Sequence, residues 1–208
     1  MTFLPGQFSK DDVEVTANSK PFQGFFHVVS YTLRHRLFKG GWSQEISREV
    51  FQRGEAAAAI LFDPKNDLIG LIEQFRVGAL NSDMGPWCLE TVAGMIEAGE
   101  TPEELIGREL AEEAGIENAV LEHISSYYST PGGCSEKIYL YCALADLSEA
   151  EGVFGLEDEH EDIRLHVLPS AEVFPNTLTS RTNNAATIIA LQWLQQHRER
   201  LMRAAACE

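Results

Sequence analysis

The sequence predicts a mixed α/β fold: an α/β/α sandwich around a mixed sheet, preceded by an antiparallel β subdomain. Three observations lead there. Short β-patterned runs alternate with only two long helical patterns, and the first of these helices is marked at both ends. The opening fifty residues carry strand patterns with no helix of their own to cover them.

Residues 1–12 have no clear pattern. From Val13 to Phe51 the chain reads as β, with Val13 and Val15 alternating and Phe25–Leu33 rich in aromatic and β-branched residues. Leu37–Trp42 reads as a hairpin turning at Gly40-Gly41. A sheet this poor in covering mass is expected to pack on the main domain or on another copy of it. Ala56–Phe62 is an almost wholly apolar strand, Asp63–Asp67 a turn and Leu68–Glu73 a second strand. Residues 78–86 form a loop, and Trp87–Val92 is one strand running toward the capped helix. Ala119–Tyr128 and Lys137–Leu147 are strands flanking the loop 129–136. Residues 148–162 are an acidic loop, and Ile163–Leu168 is the last strand. Asn183 or Asn184 caps a final helix to about Ala204, with Ala186, Ile189, Ala190, Trp193 and Leu194 on its apolar face. The chain therefore reads as one domain, 1–208, with a β region at 1–53 and a catalytic core at 54–208.

The helix near the middle carries the chemistry. Thr101 is a good N-cap, Pro102 suits the first helical position and Glu104 completes a capping box. Gly115 supplies the left-handed residue that ends many helices. Glu109, Glu112 and Glu113 fall at i, i+3 and i+4, so three carboxylates share one face near the end where the helix dipole disfavours anions. Either that face is simply solvated, or it binds hard divalent cations, which clustered carboxylate oxygens hold. Arg108 beside Glu109 could then pair with a carboxylate and fix its orientation.

Bulk properties narrow the partners. A formal net charge of -16 over 208 residues repels nucleic-acid backbones and anionic membranes, so neither is an expected partner. It would also repel an anionic ligand unless metal ions or local arginines offset it. Cys88, Cys134, Cys142 and Cys207 show no Cys-x-x-Cys pair and no zinc spacing, so free thiols are expected. No secretory signal and no apolar run of the ~20 residues that span a bilayer is apparent, and a cytoplasmic location is expected.

Gly94, Glu100, Arg108, Glu109, Leu110, Glu112, Glu113, Gly115 and Ile116 match every position of the Nudix box, Gly-x5-Glu-x7-Arg-Glu-(aliphatic)-x-Glu-Glu-x-Gly-(aliphatic). The chain thus resembles the Nudix hydrolases, which cleave nucleoside diphosphates linked to another group with Mg²⁺ or Mn²⁺. The resemblance implies that Glu109 and Glu113 are metal ligands and that Glu112 binds or orients. Pro131, fifteen residues after Ile116, is similar to the proline that marks the ADP-ribose pyrophosphatase branch. Gln23–Phe26, Ser47–Glu49, Glu73–Arg76, Pro131–Gly133 and Gly155–Ile163 also resemble stretches of bacterial members of that branch.

That likeness implies roles for further residues. Phe25 and Phe26 would lie at the adenine, and Arg48, Glu49 and Arg76 would position base and phosphates. Met95, Pro131, Gly132 and Glu136 would shape the pocket. Glu161 would be a further metal ligand, Glu159 the general base, and the Ala93 carbonyl the last inner-sphere donor. A homodimer is implied too, in which Phe25, Phe26, Arg48 or Glu49 reach a partner's site. Each residue has a plainer alternative: core aromatics, surface ion pairs, a space-filling methionine, a solvated acidic loop. The expected reaction is hydrolysis of ADP-ribose to AMP and ribose 5-phosphate. Rival readings are a nucleotide-sugar hydrolase acting on GDP-mannose, a nucleoside-triphosphate sanitiser, and a non-catalytic ADP-ribose-binding module.

Overall fold

The computed structural model of the chain describes residues 6–178 and 181–207. The first five residues of the unpatterned lead lie outside that range, while Ser9 caps a single turn at Lys10–Asp12 within it. Two compact units are present. One runs to Gly54 and includes Tyr128–Glu136; the other holds Glu55–Tyr127 and continues from Lys137.

In the first unit, β1 (Val13–Gln23), β2 (His27–His35) and β3 (Ile46–Gln52) make an antiparallel sheet in the order β1-β2-β3. The expected hairpin forms: Arg36 bridges to Trp42, and the Gly40 N–H donates to the Leu37 carbonyl at 2.8 Å. Every residue of β1 is exposed, and among the strand residues Val29 alone is buried. The segment 128–136 is tied to the end of β3. The Phe51 N–H donates to the Gly133 carbonyl (2.8 Å) and the Ser135 N–H to the Phe51 carbonyl (3.0 Å).

The second unit is built on β4 (Glu55–Asp63), β5 (Leu68–Phe75), β6 (Trp87–Glu90), β7 (Val92–Met95), β8 (Val120–Tyr128), β9 (Lys137–Leu144), β10 (Gly152–Phe154) and β11 (Ile163–Pro169). Its helices are α1 (Pro102–Ala114), α2 (Ser170–Val173) and α3 (Ala185–Ala205). The sheet runs β10-β11-β5-β4-β9-β8, with β4 and β9 parallel and β6 and β7 joined beside β5 and β4. Strand β4 explains the sandwich. Ala57, Ala59 and Leu61 face a cluster containing Leu105, Ile106, Leu110 and Ala114 of α1. Ala58, Ile60 and Phe62 face Ala190, Leu191, Leu194 and Leu201 of α3. A strand covered on both faces needs a continuous apolar run, which is what its sequence supplies.

The structure departs from the sequence reading at two places, the strand leading to α1 and the acidic loop. The single strand expected at Trp87–Val92 is two strands broken at Thr91, whose N–H donates to Thr187 Oγ1 of α3 at 3.0 Å. β4 and β5 pair only at Leu61–Asp63 with Leu68–Gly70 and then diverge, so β6 and β7 fill the gap between them. The acidic loop contains strand β10 and a turn at Glu157–Glu159, because Val153 and its neighbours pair with β11. Helix α2 had no sequence signal strong enough to mark it. Asn184 rather than Asn183 caps α3, accepting from the Thr187 N–H at 3.0 Å.

Candidate active site

Helix α1 forms as its capping residues dictate. Thr101 and Glu104 exchange both capping-box hydrogen bonds. Gly115 takes the left-handed conformation (φ +67°), and the Ile116 N–H closes onto the Leu110 carbonyl at 2.9 Å. Leu105, Ile106, Leu110 and Ala114 fix the buried face of the helix, and this choice also turns Glu113 inward.

Glu113 is 2 % exposed, and its Oε2 accepts from the Ala93 N–H of β7 at 3.1 Å. Burial pushes its carboxyl up to about 8; the Ala93 N–H opposes this, and the negative charges of Glu109 and Glu161 add to it. Glu109 is pushed up to about 7, again chiefly by burial, with Arg108 opposing and Glu112 and Glu161 adding. Arg108 is the hub of the group. It lies 3.3 Å from Glu100, 3.0 Å from Glu109 and 2.8 Å from Glu112. The single orienting pair expected from sequence is therefore a three-carboxylate clamp. Gly94 has a separate reason: a Cβ there would sit 2.0 Å from Glu109 Oε1, so any side chain would displace that carboxylate.

The loop after β10 approaches from the side. The Gly155 N–H donates to the Glu112 carbonyl at 3.0 Å, and Glu161 accepts from the Leu156 N–H at 3.2 Å. This brings the Glu161 charge close enough to act on both Glu109 and Glu113. Glu159 lies exposed in the turn at Glu157–Glu159, which His160 ends at φ +57°. Arg76 also acts on Glu113, and its Nε donates to Glu90 Oε2 at 2.6 Å. Met95 is 40 % exposed at the end of β7. Among the described residues, no three His, Cys, Asp or Glu side chains already close into a metal cage. The donor chemistry nevertheless fits a hard divalent cation. Buried Glu113, half-buried Glu109 and Glu161 near both are all oxygen donors, and a cation's charge would favour their ionised forms against the burial that opposes them.

The remaining predicted residues belong to the first unit. Phe25 is 92 % exposed and meets Phe26 edge-to-face at 4.8 Å; Phe26 in turn meets Phe51 at 5.1 Å. The Arg53 guanidinium lies 5.6 Å from the Phe26 ring and 2.7 Å from Glu136. Sequence reading missed Arg53 and Phe51, though an arginine directly after a strand that carries Arg48 was a usable signal. Arg48 and Glu49 are both exposed and, as successive strand residues, leave opposite faces of the sheet. Arg48 donates to the Ser47 carbonyl at 2.7 Å. Pro131 and Gly132 are exposed at the tip of their loop. Glu90 was also missed, since one acidic residue in a short strand carries no pattern.

A NUDIX domain model matches residues 52–191. The chain is 44% identical over 198 residues to the ADP-ribose pyrophosphatase of Escherichia coli (strain K12), covering 95% of both. It is 32% identical over 171 residues to the GDP-mannose pyrophosphatase of Escherichia coli O1:K1 / APEC, covering 81% of this chain and 86% of that one. Among solved structures, one titled as an ADP compounds hydrolase superposes with a TM-score of 0.67 at 21% identity, over 92% of this chain and 97% of that one, a likeness of fold. With a matched domain spanning most of its length and the clustered carboxylates of α1 in place, the chain belongs to the Nudix family.

Proposed function

We propose that this protein hydrolyses the diphosphate bond of ADP-ribose to AMP and ribose 5-phosphate. The observation that carries the reading is the enclosed pair of Glu109, which Arg108 grips, and Glu113, which is buried, with the Glu161 charge acting on both. The near-full-length similarity to an ADP-ribose pyrophosphatase, stronger than that to a GDP-mannose pyrophosphatase, supports the choice of substrate.

Glu109, Glu113 and Glu161, with the Ala93 carbonyl, hold divalent cations, Mg²⁺ with Mn²⁺ as a substitute. When bound, these supply positive charge against the diphosphate and acidify a water. Arg108 keeps Glu109 from turning toward solvent, and Glu112, which it also grips, orients the ligand set. Arg76 presents a planar donor fork to the phosphates. Glu159 takes the proton from water. The oxygen so freed bonds to one phosphorus in line, and the bridging P–O bond breaks with its electrons leaving on the departing phosphate. Phe25 and Phe26 stack on the adenine, and Arg48 and Glu49 position it. Met95 lines the pocket around the terminal ribose and diphosphate, and Pro131, Gly132 and Glu136 are substrate-binding residues.

The protein acts as a homodimer in the cytoplasm. The uncovered sheet of the first unit supports the dimer, and four free thiols, three of them buried, suit a reducing compartment. Product release with Mg²⁺ from ADP-ribose, GDP-mannose, ADP-glucose, NADH and an oxidised deoxynucleoside triphosphate tests the reading. The highest kcat/KM is expected for ADP-ribose, with AMP and ribose 5-phosphate as products. A preference for another substrate would overturn the choice of substrate, and tight ADP-ribose binding without turnover would overturn hydrolysis.

A further inference from the structure

The ladder between β5 and β6 pairs Phe75 with Trp87, Gln74 with Cys88, Glu73 with Leu89 and Ile72 with Glu90. Arg76 comes one residue beyond the last rung, and its N–H donates to the Pro86 carbonyl at 2.8 Å. Glu90 stands opposite Ile72, four residues back along the ladder. Arg76 Nε nevertheless lies 2.6 Å from Glu90 Oε2. The arginine, its side chain 40 % exposed, is therefore folded back rather than extended off the end of the sheet. It lies back along the strand, over the rung of Gln74 and Cys88, and both of those side chains are buried.

We infer that Glu90 is a positioning residue for Arg76, holding its guanidinium back along the strand as an oriented phosphate-binding fork. The inference rests on the diphosphate role proposed above for Arg76. Three observations carry it. The Glu90 side chain is 12 % exposed and that of Arg76 40 %, so the carboxylate that holds the arginine is enclosed while the guanidinium still meets solvent. Glu90 engages Nε, which leaves the two terminal amino groups as the free end of the fork; among the described residues neither has an ion-pair partner. Glu90 also lies one residue before the break at Thr91, which α3 anchors, so its own backbone is fixed. A free arginine at a strand end would have to be ordered by substrate at the cost of its rotamer entropy; one already tied down binds without that cost.

The test is a double-mutant cycle on the full-length protein, using Glu90→Ala, Arg76→Ala and the pair together. Glu90→Gln serves as the variant that keeps the packing. Kinetics are run on whichever member of the substrate panel the wild type turns over fastest, so a wrong choice of ADP-ribose is detected separately. Glu90→Ala is expected to raise KM about tenfold with kcat within threefold, Glu90→Gln to fall between it and wild type, and Glu90→Ala to add nothing once Arg76 is alanine. Independently of turnover, the Arg76 Nε–H NMR signal should be shifted and slowly exchanging in wild type and should merge with the exposed arginines in Glu90→Ala. Wild-type kinetics in Glu90→Ala, additive effects in the pair, or an unchanged Arg76 signal would each overturn the assignment.

Discussion

Glu113 brings a carboxyl into the protein interior with one backbone N–H for company, and Glu109 is nearly as enclosed. The consequence for stability has a definite sign. In the unfolded chain both release their protons near the ordinary glutamate value of about 4.3. In the folded chain burial holds the protons to about 7 on Glu109 and about 8 on Glu113. Between those limits the folded state binds more protons than the unfolded one, so stability is full below about pH 4.5 and falls as pH rises toward 8. Thermal unfolding in EDTA should therefore show wild type losing melting temperature between pH 5.5 and pH 8 more steeply than the Glu109→Gln, Glu113→Gln double variant. Added Mg²⁺ should raise the wild-type melting temperature more at pH 8 than at pH 5.5, since cations compete with those protons. Equal slopes for the two proteins would show that the carboxylates are not enclosed as described.

Helix α1 shows why some elements are legible in a sequence and others are not. Thr101, Pro102, Glu104 and Gly115 each act on neighbours within four residues, so their spacing states the helix limits directly. The cap is worth about 1 kcal/mol, and Thr101→Ala is expected to lower the melting temperature by roughly 2–4 °C while kcat stays within about twofold, because the carboxylates lie on later turns. A large kcat loss at unchanged melting temperature would contradict that separation. The break at Thr91 was not legible, for it depends on Thr187 of a helix 96 residues away and on the divergence of β4 from β5. Strand β10 was hidden for a similar reason. Its three residues sit in an acidic stretch, and only the pairing of Val153 with Arg164 makes them a strand. The triple grip of Arg108 was partly visible: Glu112 lies at i+4, but Glu100 reaches it only because the loop before the helix folds back.

For the molecule as a whole, charge and uncovered surface set the expectations. A net charge of -16 makes an anionic substrate unwelcome except where cations gather, which is why Arg76 and Arg108 matter beyond their number. The sheet of the first unit leaves all of β1 exposed, with Val13, Val15 and Phe22 among its open apolar residues. An edge of this kind is normally covered, and sedimentation is expected to give twice the chain mass, whereas a mass near one chain would remove the proposed dimer. The central claim concerns the acidic face of α1, and one titration reaches it most directly: the rate of ADP-ribose hydrolysis against Mg²⁺ concentration for wild type and Glu113→Gln. Wild type should show saturable dependence on Mg²⁺ and no turnover in EDTA, while Glu113→Gln should need far more metal and lose about 10²–10³-fold in kcat. Wild-type turnover by Glu113→Gln at saturating Mg²⁺ would contradict the assignment of that carboxylate to the metal site.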